Sequence, residues 1–291
     1  MPKQPINIVG IIPVAGTQGE FGFEWPDCLT PIAPNYTAVE SSVYECAHAG
    51  CTSIWIVCND DVAPLIKHRV GEFCVDQASA QRGYFTKHGN NYYQDIPIYY
   101  VPIHPKHRDK VDCYGWSIIY GANVAYWITK KFSRWTTPDT YYISFPFGVS
   151  DPREIIRCRK FIRTKEPFYF SYKGLTVKDN IPLSFTMQPD EWRRAKHIIT
   201  TNSKLYEAPP PGEMPSVKLP KEKRYQSRWF TLADVFGDGP EGKESELSWF
   251  YDLTTWAEYS IFIGSEHSEL LRRPSNTVMY MNHTGGIVSD E

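Results

Sequence analysis

Apolar positions first gather in Ile8-Val9-Gly10-Ile11-Ile12, a continuous run of the length of one strand buried on both faces. A glycine-bearing stretch, Ala15-Gly16-Thr17-Gln18-Gly19, follows at once, and then an extended segment framed by Pro26 and Pro31. From Thr37 the period changes. Val39, Val43, Cys46 and Ala47 recur at helical spacing, Thr37 with Glu40 three residues on makes a capping-box pattern, and Gly50 supplies the stop. Ile54-Trp55-Ile56-Val57 then reads as a second buried strand. Strand, glycine loop, helix and strand form one βαβ unit. In an open parallel sheet the loop beyond the strand's C-terminal end is where a ligand sits.

The alternation continues along the chain. A short helix is expected over 62–70 and a strand over 96–103, with Pro97 and Pro102 marking its ends or an edge position. A long helix follows over 115–131, with Ile118, Ile119, Ala122, Ala125 and Tyr126 on one face, and then a strand over 141–145. Asp151-Pro152 opens another helix, Asp as cap and Pro at the first helical position. Its cations, Arg153, Arg157, Arg159, Lys160, Arg163 and Lys165, are expected on the wet face, with Ile155, Ile156, Phe161 and Ile162 buried. Segments 168–172 and 183–187 read as a strand pair and 188–197 as a helix. Residues 76–95 read as an irregular excursion or hairpin, and 104–110, with His104, Lys106, His107, Arg108 and Lys110, as a charged loop.

This order predicts an α/β protein, a three-layer α/β/α sandwich around a mostly parallel sheet. Residues 1–206 are expected to form the main domain. Prolines crowd 207–228 without periodicity, which predicts a linker or surface arm. Residues 229–291 form a small aromatic-rich region expected to pack back on the main domain.

Charge removes some classes of function. A net charge of −2 and a pI near 6.5 provide no electrostatic footprint for nucleic acid or an anionic membrane. No window approaches the roughly 18 apolar residues that span a bilayer, and the first apolar run is shorter than a secretory h-region. Seven cysteines without a C-x-x-C pair predict buried, reduced thiols and a cytoplasmic location. The chain shows no Ser-His-Asp order, no H-E-x-x-H and no zinc cysteine pattern.

The opening stretch resembles the sugar-phosphate nucleotidyltransferase family, which joins a sugar phosphate to a nucleoside triphosphate with loss of pyrophosphate. Residues 11–16 match its strand and loop entry, and Pro26-Asp27-Cys28-Leu29-Thr30-Pro31-Ile32 its P-K-P-L-x-P-I segment. Ala49-Gly50 and the strand after it match the helix exit. Gly115-Trp116-Ser117 looks like the family's G-T-A element, and residues 249–259 like its late W-x-D-x-G-T-x-x-x-Y element with one extra residue. The resemblance implies that Ala15, Gly16, Thr17, Gln18, Gly19 and Gly115 bind the nucleotide. It implies Asp252, with Asp151, as ligands of Mg²⁺, and a nucleoside triphosphate or sugar nucleotide as the bound species.

The same alignment of motifs exposes what is missing. The family's loop arginine is absent, and Glu20 lies in its region. The lysine of the P-K-P segment is Asp27, and Pro146-Phe147-Gly148 follow the strand that should deliver the first metal aspartate. A carboxylate at about 4 Å from a phosphate adds about 4 kcal/mol of repulsion at an effective dielectric near 20. The expectation is therefore a degenerate relative with lost or altered catalysis, a binding or structural subunit in a homo-oligomer or larger protein assembly, with no catalytic residue assigned. The alternatives are an active, Mg-dependent nucleotidyltransferase making a nucleoside-diphosphate sugar, and a sugar-nucleotide glycosyltransferase. The last wants an Asp-x-Asp motif, whereas Asp60 and Asp61 are adjacent and Asp234 and Asp238 lie four apart.

Overall fold

In the computed structural model, β1 (Ile8–Pro13) is buried at every position and lies inside an eight-stranded sheet. The structure describes residues 6–15, 21–23, 25–76, 95–103, 113–132, 137–202, 212 and 230–274. The first half contributes β2 (Pro31–Ala33), β3 (Tyr36–Thr37), α1 (Ala38–Ala49), β4 (Ser53–Asn59), α2 (Ala63–Val70), β5 (Phe73–Val75) and β6 (Asp95–Ile103). Then come α3 (Tyr114–Phe132), β7 (Thr140–Ile143), β8 (Gly148–Ser150), α4 (Pro152–Ile162), β9 (Phe168–Ser171), β10 (Phe185–Met187) and α5 (Pro189–Asn202). The last described stretch holds α6 (Leu232–Phe236), β11 (Lys243–Glu246), β12 (Phe250–Asp252), α7 (Trp256–Ile263) and α8 (Glu266–Leu270).

The sheet order is β11-β9-β10-β7-β1-β4-β6-β5. The centre, β7, β1, β4 and β6, is parallel, whereas β10 and β5 run antiparallel to their neighbours. Alternate residues of each central strand enter opposite cores. Ile8 and Ile12, Ile54 and Ile56, and Tyr142 pack with α1 and α4; Val9 and Ile11, Trp55 and Val57, and Tyr141 and Ile143 pack with α3, α5 and α6. The three-layer α/β/α arrangement expected from the alternation is the one observed. Gly10 makes one of these layers close, because a Cβ there would sit 2.8 Å from Cys46 Sγ of α1.

Local signals place the elements well. Thr37 and Glu40 form the reciprocal capping box of α1, and Gly50 ends it in the left-handed region at φ 91°. Asp151 caps α4 through the Arg153 N–H, with Pro152 at its first position. Helix α5 runs past the expected 197 to Asn202. Strand β6 is not an edge along its whole length: β4 covers one side and β5 pairs with Asp95–Pro97 on the other. The cationic face of α4 also needs correction. Arg159 is buried and reaches across to Asp76, while Phe161 is exposed beneath the Lys243 ammonium. A guanidinium turned inward is tolerated because a carboxylate and two backbone carbonyls receive it.

The segment from Phe230 onward joins the main body through two strands. β11 is an edge strand of the large sheet beside β9, and β12 pairs with β8. The charged loop at 104–110, nearly all of the 76–95 excursion and, apart from Gly212, the proline-rich 207–228 lie outside the described residues. All seven cysteines are buried and free, which matches the expectation for the thiols. Among the described residues no helix is long and apolar enough to cross a membrane.

Candidate functional site

Parallel β7, β1 and β4 end together, and the segments leaving those ends build the candidate site. Beyond β1, Val14 N–H and Ala15 N–H both donate to the Val57 carbonyl, at 2.8 and 2.9 Å. The Ala15 carbonyl accepts from Ser117 Oγ at 2.5 Å, and the residue is buried. Ala15, expected at the nucleotide, thus has both backbone groups engaged by the protein. Gly16, Thr17, Gln18 and Gly19, and Glu20 with them, lie outside the described residues.

Gly115 sits in the first turn of α3, two residues before Ser117, so this turn is placed against the start of the glycine loop. Its lack of a side chain has a packing cause: a Cβ would stand 2.9 Å from Val235 Cγ2 of α6. Asp27 opens a single 3₁₀ turn, Asp27–Leu29, and is partly exposed. The turn closes through the Thr30 N–H to the Asp27 carbonyl at 3.0 Å.

The two expected metal ligands do not converge. In the β8–β12 pair Asp252 lies opposite Gly148 and Phe250 opposite Ser150, so Asp151 continues past the far end. Three residues at about 3.3 Å each separate the two positions by about 10 Å, and Asp151 has left the strand to cap α4. Two ligands of one Mg²⁺ stand within about 4 Å of each other. Asp151 is engaged as well: Oδ1 accepts the Arg153 N–H at 2.9 Å, and Arg153 Nε reaches both oxygens at 3.1 and 3.2 Å. Asp252 Oδ1 accepts the Thr254 N–H at 3.2 Å. Burial raises the Asp252 carboxyl above its usual range, the Thr254 hydrogen bonds oppose this, and the Glu258 carboxylate adds a like charge. Among the described residues no group of three or more His, Cys, Asp or Glu side chains is placed to hold a metal ion. This donor set does not fit Mg²⁺ in the expected manner.

One feature of the site went unread in the sequence. Phe21, Phe23 and Trp25 alternate along the segment after the glycine loop, a period-2 signal, and their rings stack in a column. Trp256 and Tyr259 of α7 meet that column edge-on. Beside it, a groove of about 780 Å³ runs between the β2–β3 hairpin and α7–α8, lined by Pro31, Ala33, Tyr259, Ile263 and Leu270 among others.

No protein-family model matches this chain, and no curated protein matches it by sequence. Solved structures do match. The Bacillus anthracis protein assigned as a glucose-1-phosphate thymidylyltransferase superposes with a TM-score of 0.54 at 11% identity, covering 92% of this chain and 98% of that one. The fold is that of the sugar-phosphate nucleotidyltransferases. A nucleoside-diphosphate-sugar pyrophosphorylase from Vibrio cholerae gives 0.50 at 11% identity, over 88% of this chain and 100% of that chain. A UDP-glucose pyrophosphorylase solved with UDP-glucose gives 0.51 at 11% identity, over 88% and 97%. The nucleotidyltransferase fold therefore extends over most of the chain, well beyond the stretch in which the sequence resemblance is continuous. At this identity the similarity carries the fold, and function lives in the site.

Proposed function

We propose that this protein is a nucleotidyltransferase-fold protein whose transfer chemistry is lost or altered, retained as a ligand-binding or structural subunit. The observation that carries this reading is the distribution of carboxylates at the site. Asp27 occupies the position at which the resemblance implies a lysine, and Asp252 ends the β8–β12 ladder opposite Gly148 while Asp151 lies beyond its other end as the cap of α4. Transfer between a sugar phosphate and a triphosphate gathers several negative charges, and needs cations and a metal at the reacting phosphorus. An acidic, non-convergent arrangement opposes that state.

Titration calorimetry and thermal-shift measurements with each nucleoside triphosphate plus Mg²⁺ test it. No heat and no shift at millimolar nucleotide are expected. Release of pyrophosphate in the presence of a sugar 1-phosphate would sink the proposal and establish an active transferase. For the subunit role, light scattering is expected to show an oligomer or an assembly. A strict monomer that captures no partner would count against that half of the reading.

A further inference from the structure

The proposal above leaves open what the site holds, and the aromatic corner beside it supplies a chemical class. Phe21 and Phe23 stack with centroids 5.3 Å apart at 13°, and Phe23 and Trp25 at 4.5 Å and 16°. Gly22, between the two phenylalanines, takes the left-handed region at φ 64°, so a turn at this glycine and the ring contacts themselves set the column. Trp256 closes one flank against Phe21 at 5.9 Å and 78° and against Phe23 at 6.1 Å and 78°. Tyr259, one turn later, meets Phe21 at 5.5 Å and 74°, and its hydroxyl donates to the Pro31 carbonyl at 2.7 Å. The corner is therefore held from two distant parts of the chain.

Despite that support it is open to solvent. Trp25 is 50% exposed and Trp256 55%. Among the described rings Trp25 has one stacking partner, Phe23, on one face. A fixed, half-bare indole at the end of a column is a preformed stacking surface, and its order costs a ligand little to use.

The charges around it select among ring-shaped ligands. Asp27 follows Trp25 by two residues and is partly exposed. Asp252 ends the strand that leads into Trp256, and Glu258 lies two residues beyond Trp256. Carboxylates are acceptors only, and they suit a ligand that presents hydroxyl donors around an apolar face. A sugar ring has that character, with C–H groups on its faces and hydroxyls at its rim. A nucleotide would bring its base to the same indole, but its phosphates would enter an acidic neighbourhood at a cost in repulsion.

We propose that the Trp25–Trp256 corner binds a neutral sugar ring, with Trp25 as the stacking platform and Asp27 as a hydroxyl acceptor. This rests on the reading of the site as one for binding rather than for triphosphate chemistry.

Saturation-transfer NMR on the full chain tests it, with methyl α-glucopyranoside, methyl β-galactopyranoside and maltotriose as neutral probes, and glucose 1-phosphate and UTP as charged ones. Transfer to the ring C–H protons of at least one neutral probe is expected. Trp25→Ala should weaken binding about tenfold, consistent with the loss of one aromatic contact. Trp25→Phe should retain most of it, and Asp27→Asn should weaken it while leaving the column intact. Trp127→Ala, which removes an equally exposed indole on α3, should change nothing. Thermal melting of each variant checks that it folds. No transfer to any neutral probe, or transfer that survives Trp25→Ala, overturns the inference; if the nucleotide also fails to bind, the functional reading stands without it. Tighter binding of UTP than of every neutral probe overturns both.

Discussion

The two ends of helix α1 and the ligand end of the sheet treat charge in opposite ways. At the N-terminal end of α1, buried Glu40 accepts from Thr37 N–H at 2.9 Å and from Arg69 at 2.9 and 3.1 Å, and meets Arg273 Nη2 at 2.9 Å. At its C-terminal end, Arg159 Nη1 donates to the Ala47 and His48 carbonyls at 2.9 and 3.0 Å and to Asp76 Oδ1 at 2.9 Å. A positive group among the last carbonyls of a helix also complements its dipole. The aromatic corner instead has carboxylates close to its rings in sequence: Asp27 two residues after Trp25, and Asp252 and Glu258 on either side of Trp256, with Glu258 adding a like charge to Asp252. The chain has 31 Lys and Arg residues, so cations are plentiful. Arg69, Arg159 and Arg273 pair with buried carboxylates of the scaffold. A fold needs its buried charges matched, whereas phosphoryl transfer needs cations left available to a ligand. The scaffold meets the first requirement, and Asp27 places a carboxylate where the second would ask for a cation.

That contrast can be broken at the scaffold with the largest effect. Arg159→Met takes the guanidinium away from buried Asp76 and from the Ala47 and His48 carbonyls, of which Ala47 keeps the Gly50 N–H. A loss of about 3–5 kcal/mol in urea unfolding is expected, and a change below 1 kcal/mol would show the pair to be dispensable.

Glu191 is the exception that sharpens the rule. It is a buried scaffold carboxyl, and burial pushes it up to about 7, with Arg194, a backbone hydrogen bond from Gln188 and Lys178 opposing the rise. Its folded value lies above its unfolded one, so the protonated form suits the fold. The penalty is absent at pH 4, accumulates as the unfolded state ionises from about 4.5 upward, and is complete above about 7. Glu191→Gln should therefore stabilise the protein by on the order of 1–3 kcal/mol at pH 8 and by almost nothing at pH 4. Equal effects at both pH values would place the carboxyl in an ordinary solvated state.

Packing alone should yield a similar or smaller change. Gly10→Ala puts a methyl against Cys46 Sγ and should cost about 1–3 kcal/mol, read as a lower urea midpoint at constant slope. The smallest stability effect is expected at the ligand end. Asp27→Lys should leave stability within about 0.5 kcal/mol and give a nucleoside triphosphate a weak affinity that salt abolishes. No gain in affinity would show that the acidic position is not what excludes triphosphate.

The features legible in advance were those that neighbours along the chain decide. The Thr37–Glu40 box, Gly50 in the left-handed region and the Asp151-Pro152 start of α4 each depend on a few consecutive residues. The continuous apolar strands with helices between them were enough for a three-layer sandwich, because only a sheet covered on both faces buries such runs. Other features depend on partners far away in the chain. Arg159 looks like a surface cation until Asp76 arrives 83 residues away. β11 has a polar, mostly exposed sequence, and only its place beside β9 makes it a strand. Asp151 and Asp252 looked able to share an ion until the β8–β12 register set them at opposite ends of a ladder. Phe21, Phe23 and Trp25 carry a readable period, but the edge-on packing of Trp256 and Tyr259 turns that period into a corner. Local propensity and hydrophobic period thus determined the scaffold by themselves. Which charges meet, and which rings remain bare, was decided by tertiary register, because electrostatic pairing acts over a few ångströms of space regardless of distance along the chain.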